Sequence, residues 1–262
     1  MSNKSSIFAG LGALLAATPA SALTLSPGVL RIDVGLADHS IIDSGTLGGG
    51  SLPRGLTFLK IDGIRTLGVS LGIGGAYGIM DNLEIGTLLI PLGISPEGGF
   101  GDMQLYGRYR FLSGDFSAAA QLTIQIPTSS VFGLGFGLPI SAMLGPDLKL
   151  LSGVELEVVF ASPSALVNLD LPVTFLAKVA ETARLGVRTG LFMADLDTDG
   201  VSVPLGVLVE IDAGPATIVP AFVWPYFLNS TGATLGTFLV NLGARFEFDV
   251  QGGGGAPPAE NE

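Results

Sequence analysis

LGTFLVNLGARFEF, residues 235–248, alternates almost without interruption. Phe238, Val240, Leu242, Ala244, Phe246 and Phe248 share one parity, and Thr237, Leu239, Asn241, Gly243, Arg245 and Glu247 share the other. Successive side chains of a strand point to opposite faces, so this stretch carries one greasy face and one mostly polar face. The pattern recurs upstream. Residues 116–126 set Phe116, Ala118, Ala120, Leu122, Ile124 and Ile126 against Ser117, Ala119, Gln121, Thr123 and Gln125. Residues 103–112 set Met103, Leu105, Tyr109 and Phe111 against Gln104, Tyr106, Arg108 and Arg110. A soluble sandwich also uses such strands, so the choice rests on their number and on what separates them.

Working outward, residues 28–37 place Leu30, Ile32, Val34 and Leu36 opposite Arg31, Asp33 and Gly35. Residues 38–63 read as the longest irregular stretch. Strands follow at 65–79, at 83–94 (face unassigned), at 131–144, at 148–160 with Lys149, Glu155 and Glu157 on the polar parity, and at 166–179 with Asn168, Asp170, Thr174 and Lys178. The remainder are 184–193 with Arg184 and Arg188, 201–211 with Glu210 its one charge, 216–227, and the closing stretch. That makes twelve, with ten or fourteen left open, each near or above the roughly 9–11 residues a tilted strand needs to cross a bilayer. Five tight turns, after strands two, four, six, eight and ten, then fall on one side and longer loops on the other, as in a transmembrane antiparallel up-and-down β-barrel. Pro91, Pro139, Pro172, Pro204 and Pro220 sit inside strands, where each removes a ladder donor, and read as bulges or kinks.

Composition agrees. The chain is 48% hydrophobic and only 13% charged, too greasy for an ordinary soluble surface. Yet its apolar segments at 66–80 and 131–144 carry Gly on alternate positions, which costs a helix about 1 kcal/mol each. Lipid exposure without helices leaves a closed barrel, since an open sheet edge in hydrocarbon strands backbone polar groups. At the N-terminus, Lys4, the apolar run 7–17 and Ala20-Ser21-Ala22 read as a signal peptide, residues 1–22, cleaved after Ala22. The barrel is then expected over 23–250, and the Gly/Pro-rich stretch 251–262 reads as a disordered tail. No cysteine is present, which excludes disulfides, lipid attachment and thiolate metal sites. The formal charge of −11 argues against a nucleic-acid partner, which needs a basic face.

Asn241, Gly243, Phe246 and Phe248 fit polar-x-Gly-x-x-aromatic-x-aromatic and resemble the last-strand signal of bacterial outer-membrane barrels. This chain departs from that pattern by running on past the final aromatic. The runs YGIMDNLEIG (77–86), GDMQL (101–105) and Tyr109-Arg110-Phe111 are similar to those of the phenol-degradation (meta-pathway) outer-membrane transporter family. These resemblances imply a bacterial outer-membrane barrel with both termini periplasmic, recognised by the insertion machinery, embedded in outer-membrane lipid, and passing small, aromatic solutes.

Charge placement is the strongest functional pattern. Arg31, Arg108, Arg110, Lys149, Lys178, Arg184, Arg188 and Arg245 all fall on the lumen parity, accompanied by Asp33, Glu155, Glu157, Asp170, Glu210 and Glu247. Two readings follow: a charged ring that sets pore selectivity, or a salt-bridged plug that stiffens a non-conducting barrel. Glycines in the patterns 72-x-74-75 and 133-x-135-x-137 read as a thin lumen wall that leaves room for a path. No enzyme, metal or cofactor is expected. His39 is the sole histidine, and Asp38, His39 and Ser40 are adjacent and point apart, so they form no relay. Asp195, Asp197, Asp199 and Gly200 lack the rest of a calcium loop.

Overall fold

A computed structural model describes residues 23–34, 56–62, 66–95, 99–100, 103–127, 132–160, 165–198, 201–229, 232–233 and 237–250. Its strands are β1 (Val29–Val34), β2 (Leu56–Asp62), β3 (Thr66–Met80), β4 (Leu83–Ser95), β5 (Gly99–Phe100), β6 (Met103–Leu112), β7 (Phe116–Ile126), β8 (Gly133–Met143), β9 (Leu148–Phe160), β10 (Ala165–Ala180), β11 (Ala183–Met193), β12 (Val201–Ala213), β13 (Ala216–Asn229), β14 (Gly232–Ala233) and β15 (Thr237–Asp249). A single 3-10 turn, Ala194–Leu196, interrupts them among the described residues.

Every long strand pairs antiparallel with its neighbour in sequence, and β15 closes the ring by pairing with β13 on one side and with β1 and β2 on the other. β1 lies along residues 244–249 of β15 and β2 along residues 237–242. On their far side both pair with β3, β1 along residues 73–77 and β2 along 66–70. β1 and β2 are therefore two pieces of one stave, and the wall is a closed antiparallel barrel of twelve. The strand expected at 28–37 ends at Val34, and the stave resumes at Leu56, inside the stretch that read as irregular. Leu56–Asp62 is enclosed by Gly- and Pro-rich sequence, which hid it. Residues 35–55 lie outside the described residues.

Alternation positions the two faces. β7 reads Gln121, Thr123 and Gln125 buried, with Leu122 and Ile124 exposed, and β9 buries Lys149, Leu151, Glu155 and Glu157 while exposing Val154 and Leu156. Exposed large apolar side chains recur on one parity around the wall, from Ile85 and Leu105 through Phe136, Phe175 and Val187 to Val207 and Leu242. Phe246 and Phe248 stack near one end (centroids 6.5 Å apart), and Phe132 meets Phe160 near the other (5.6 Å), as interfacial girdles do.

The turns at 81–82, 113–115, 144–147, 181–182 and 214–215 share one end of the barrel, hereafter the tight-turn end. Chain segment 23–28 and the end of β15 are there too, tied by the Val250 N–H donating to the Gly28 carbonyl at 2.9 Å.

The prolines correct a second expectation. A register shift flanks Pro204, but Pro139, Pro172 and Pro220 remain in register, opposite Gly153, Gly190 and Leu242. Pro91 likewise faces Gly72. A Cβ on Gly190 would fall 2.7 Å from the Leu171 carbonyl oxygen, so a glycine lets the proline-bearing strand approach where the missing N–H would otherwise loosen the ladder.

Leu122 is 56% exposed in mid-strand. In a bilayer, Leu122→Arg should destabilise the fold by about 2–4 kcal/mol, read by reversible urea unfolding in liposomes. An unchanged midpoint would show that this face does not meet hydrocarbon.

Candidate functional site

The interior is polar on one wall and partly apolar on the other. The polar wall centres on Glu84, which is 0% exposed. It is the second residue of β4, just after the turn at 81–82, on the parity opposite the exposed Ile85. Its Oε1 lies 3.2 Å from Arg108 Nη1 and 3.9 Å from Arg31 Nη2, and accepts the Tyr106 hydroxyl at 2.8 Å. Its Oε2 accepts the Leu25 backbone N–H at 2.8 Å. The network extends both ways around the barrel. Arg31 donates to Asp33 at 2.9 Å and to the Tyr106 hydroxyl at 2.9 Å, while Arg245 reaches Asp33 Oδ1 at 3.2 Å, joining the first and last strands. Arg108 donates twice to Gln121 Oε1 (2.9 and 2.7 Å) and once to the Leu23 carbonyl (2.9 Å), with its guanidinium 5.2 Å from the Tyr106 ring centroid. Gln121 in turn donates to Thr123 at 3.1 Å. Such saturation is what a buried ion cluster requires, because desolvation otherwise outweighs the Coulombic attraction.

Segment 23–28 does not join the sheet. It lies as a strap against the inner side of β3, β4 and β6 at the tight-turn end, with Thr24 and Leu25 buried. Gly28, at φ 77°, turns the chain from the strap into β1, a conformation that suits glycine. Gly78 gives it passage, since a Cβ there would come 2.0 Å from the Ser26 carbonyl oxygen. Leu25 packs with Val29, Ala76 and Tyr106.

The remaining expected lumen residues divide into three groups. Lys149, Glu155, Glu157, Asp170 and Arg188 are buried on β9–β11, where Asp170 and Glu155 are cross-strand partners, Arg188 interacts electrostatically with both, and Asn168 donates to Glu157 at 3.1 Å. Arg184, Glu210 and Asp212 form a partly exposed ion cluster at the tight-turn rim (3.8 and 3.6 Å). Lys178 is exposed beside a register shift at the same rim, and Arg110 is half-buried, donating to the turn carbonyl of Asp81 at 2.5 Å. Those two sit at the edge rather than along the lumen, because each strand frays into its turn. Glu247 is half-buried near the end of β15.

Several interior glycines outside the two patterns singled out in the sequence are occupied by neighbouring side chains. Leu176 and Leu208 lie over Gly186, Val223 over Gly206, and the Tyr106 ring over Gly86. Leu176, Leu208 and Val223 belong with Leu151, Val219 and Ala221 to an apolar cluster inside the barrel. The size of glycine was legible in the sequence, but what fills the space beside it was not.

Of the last-strand motif, Asn241 and Gly243 are buried and Phe246 and Phe248 face outward. In the acidic loop, Asp195 takes φ 51° and its carboxylate accepts the Val167 N–H, while its own N–H donates to Asn168. It is a local turn. His39 lies outside the described residues, and among the described residues no group of carboxylates and histidines is arranged to hold a metal.

No family model matches this chain, and no curated protein matches it in sequence. Solved structures do. The NanC porin superposes with TM-score 0.54 at 9% identity, covering 83% of this chain and 98% of that one. An outer membrane channel from Pseudomonas putida F1 superposes with TM-score 0.53 at 12% identity, covering 88% and 99%. At such identities the likeness is one of fold: the same closed barrel, nearly end to end.

Glu84→Ala leaves two arginines and a tyrosine facing an empty site, and should destabilise the barrel by about 3–5 kcal/mol. Urea refolding measures it. A loss below 1 kcal/mol would mean that the cluster does not hold the interior together.

Proposed function

We propose that this protein is an outer-membrane channel that passes small solutes, with the tight-turn end and both termini in the periplasm, the signal removed after Ala22, and β15 read by the insertion machinery. One observation carries the reading: a closed wall whose outer parity is apolar and whose inner parity holds the charges. The two solved barrels with the same fold, a porin and an outer membrane channel by name, support it.

Interior packing limits the bore. Barrels of about eight strands are filled by side chains and those of about sixteen are open, so twelve sits between. Arg31, Arg108 and Arg188 are each below a tenth exposed, and the strap takes up space against the inner wall at the tight-turn end. Free diffusion of large hydrophilic solutes does not suit this interior. Small amphipathic solutes, aromatic acids among them, suit it better, because the interior offers buried arginines together with the apolar Leu176, Leu208 and Val223, with Arg188 on the strand between the first two.

A second reading, a non-conducting barrel whose interior merely stiffens it, is favoured by the same tight ion pairing. Planar-bilayer recording and liposome swelling with benzoate and with glucose separate them. Small-conductance openings, faster swelling in benzoate than in glucose, and a shift toward cation preference on Arg188→Ala are expected of the channel. Neither current nor swelling from folded protein would leave the second reading standing.

A further inference from the structure

The strap at 23–26 has the character of a bound ligand more than of a wall element. It makes no strand pairing, and it meets the barrel at a few separate points. The Leu25 side chain fills an apolar recess formed by Val29, Ala76 and Tyr106. Its N–H points at Glu84 Oε2 (2.8 Å), and the carbonyl two residues back accepts from Arg108 Nη1 (2.9 Å). Both anchoring side chains are nine-tenths buried or more, at 0% and 2% exposure. An acceptor carboxylate and a donor guanidinium, paired with each other at 3.2 Å, therefore sit beside an apolar recess at one place inside the barrel, matched to a leucine side chain, its own N–H and the carbonyl two residues before it.

We propose that this place is a solute subsite and that the strap is its tethered occupant. The solute class follows from the contacts: a compact apolar body bearing on one side an N–H or O–H donor, which Glu84 accepts, and a carbonyl or carboxylate acceptor, which Arg108 meets. Entering solute displaces residues 23–26, which swing about Gly28, and the strap's return expels it toward the tight-turn end. This rests on the reading of the barrel as a solute channel, and it names the residues that select the solute. A site filled by its own chain most of the time binds with an affinity reduced by the fraction of time it is vacant, so weakening the strap should strengthen binding.

The test is calorimetric titration of full-length mature protein in detergent micelles with N-acetyl-L-threonyl-L-leucinamide, whose acetyl carbonyl stands where that of Leu23 does, using N-acetyl-L-threonylglycinamide as the control without the apolar group. Leu25→Gly, which empties the recess, and Gly78→Ala, which pushes on the Ser26 carbonyl, are each expected to raise affinity by roughly tenfold or more. Adding Glu84→Gln to Leu25→Gly should remove most of that gain. Folding of each variant is checked by its heat-modifiable gel shift. If the variants do not fold, hydrogen exchange on the wild type decides: saturating N-acetyl-L-threonyl-L-leucinamide should speed exchange of the Leu25 amide as it leaves Glu84. Unchanged affinity in folded variants, equal binding of the glycine control, or unchanged Leu25 exchange would each overturn the proposal. Binding is measured apart from conduction. Current without binding removes the subsite and spares the channel, whereas binding without current does the reverse.

Discussion

In hydrocarbon there is no water to satisfy a backbone N–H or C=O, so a wall of strands must have no edge. Everything else in this molecule follows from that closure. The sheet closes where β15 meets β13 on one side and β1 and β2 on the other, and the last of these contacts is made by two short strands that share one stave. Side-chain chemistry reinforces the seam from inside: Arg245 on β15 and Arg31 on β1 share Asp33. The exposed parity can then be wholly apolar, since the backbone asks nothing of the surroundings.

Closure also creates the opposite problem inside. A side chain that points inward at twelve strands is neither in bulk water nor in a dry core, and charges placed there must find one another. They do so within and across neighbouring staves: Glu84 meets its cross-strand partner Arg108 and Tyr106 on β6, reaches Arg31 beyond β3, and holds the strap. The apolar group around Leu176, Leu208 and Val223 performs the same filling on the other side. The interior thus holds buried charges on both sides, around Glu84 and on β9–β11, with the apolar cluster beside the second set.

What the sequence made legible was parity. Side chains alternate with period two, so Lys149, Glu155, Glu157 and Asp170 could be assigned to the inner face from their apolar neighbours alone, and they are buried there. Glu84 was not legible, because LEIGTLLIPLGIS breaks alternation after Thr87 and the strand gave no clear face. The strap was invisible for another reason. Leu-Thr-Leu-Ser-Pro-Gly directly after a cleavage motif reads as linker, and only the approach of Ser26 to Gly78 reveals that it has a seat. β2 was lost between glycines, since LTFLKID is short and its neighbours signal turns. Pairings between strands far apart in the chain, such as Asp33 with Arg245, have no local signature at all.

The central claim is that one parity faces lipid and the other an enclosed, packed interior. Because the natural chain has no cysteine, single cysteines across residues 120–126 can each carry a nitroxide in reconstituted bilayers. Oxygen collision rates should then alternate with period two, high at 122 and 124 and low at 121, 123 and 125, with the low positions also shielded from a water-soluble nickel reagent. A flat profile, or high nickel access at 122 and 124, would contradict the lipid-facing barrel outright.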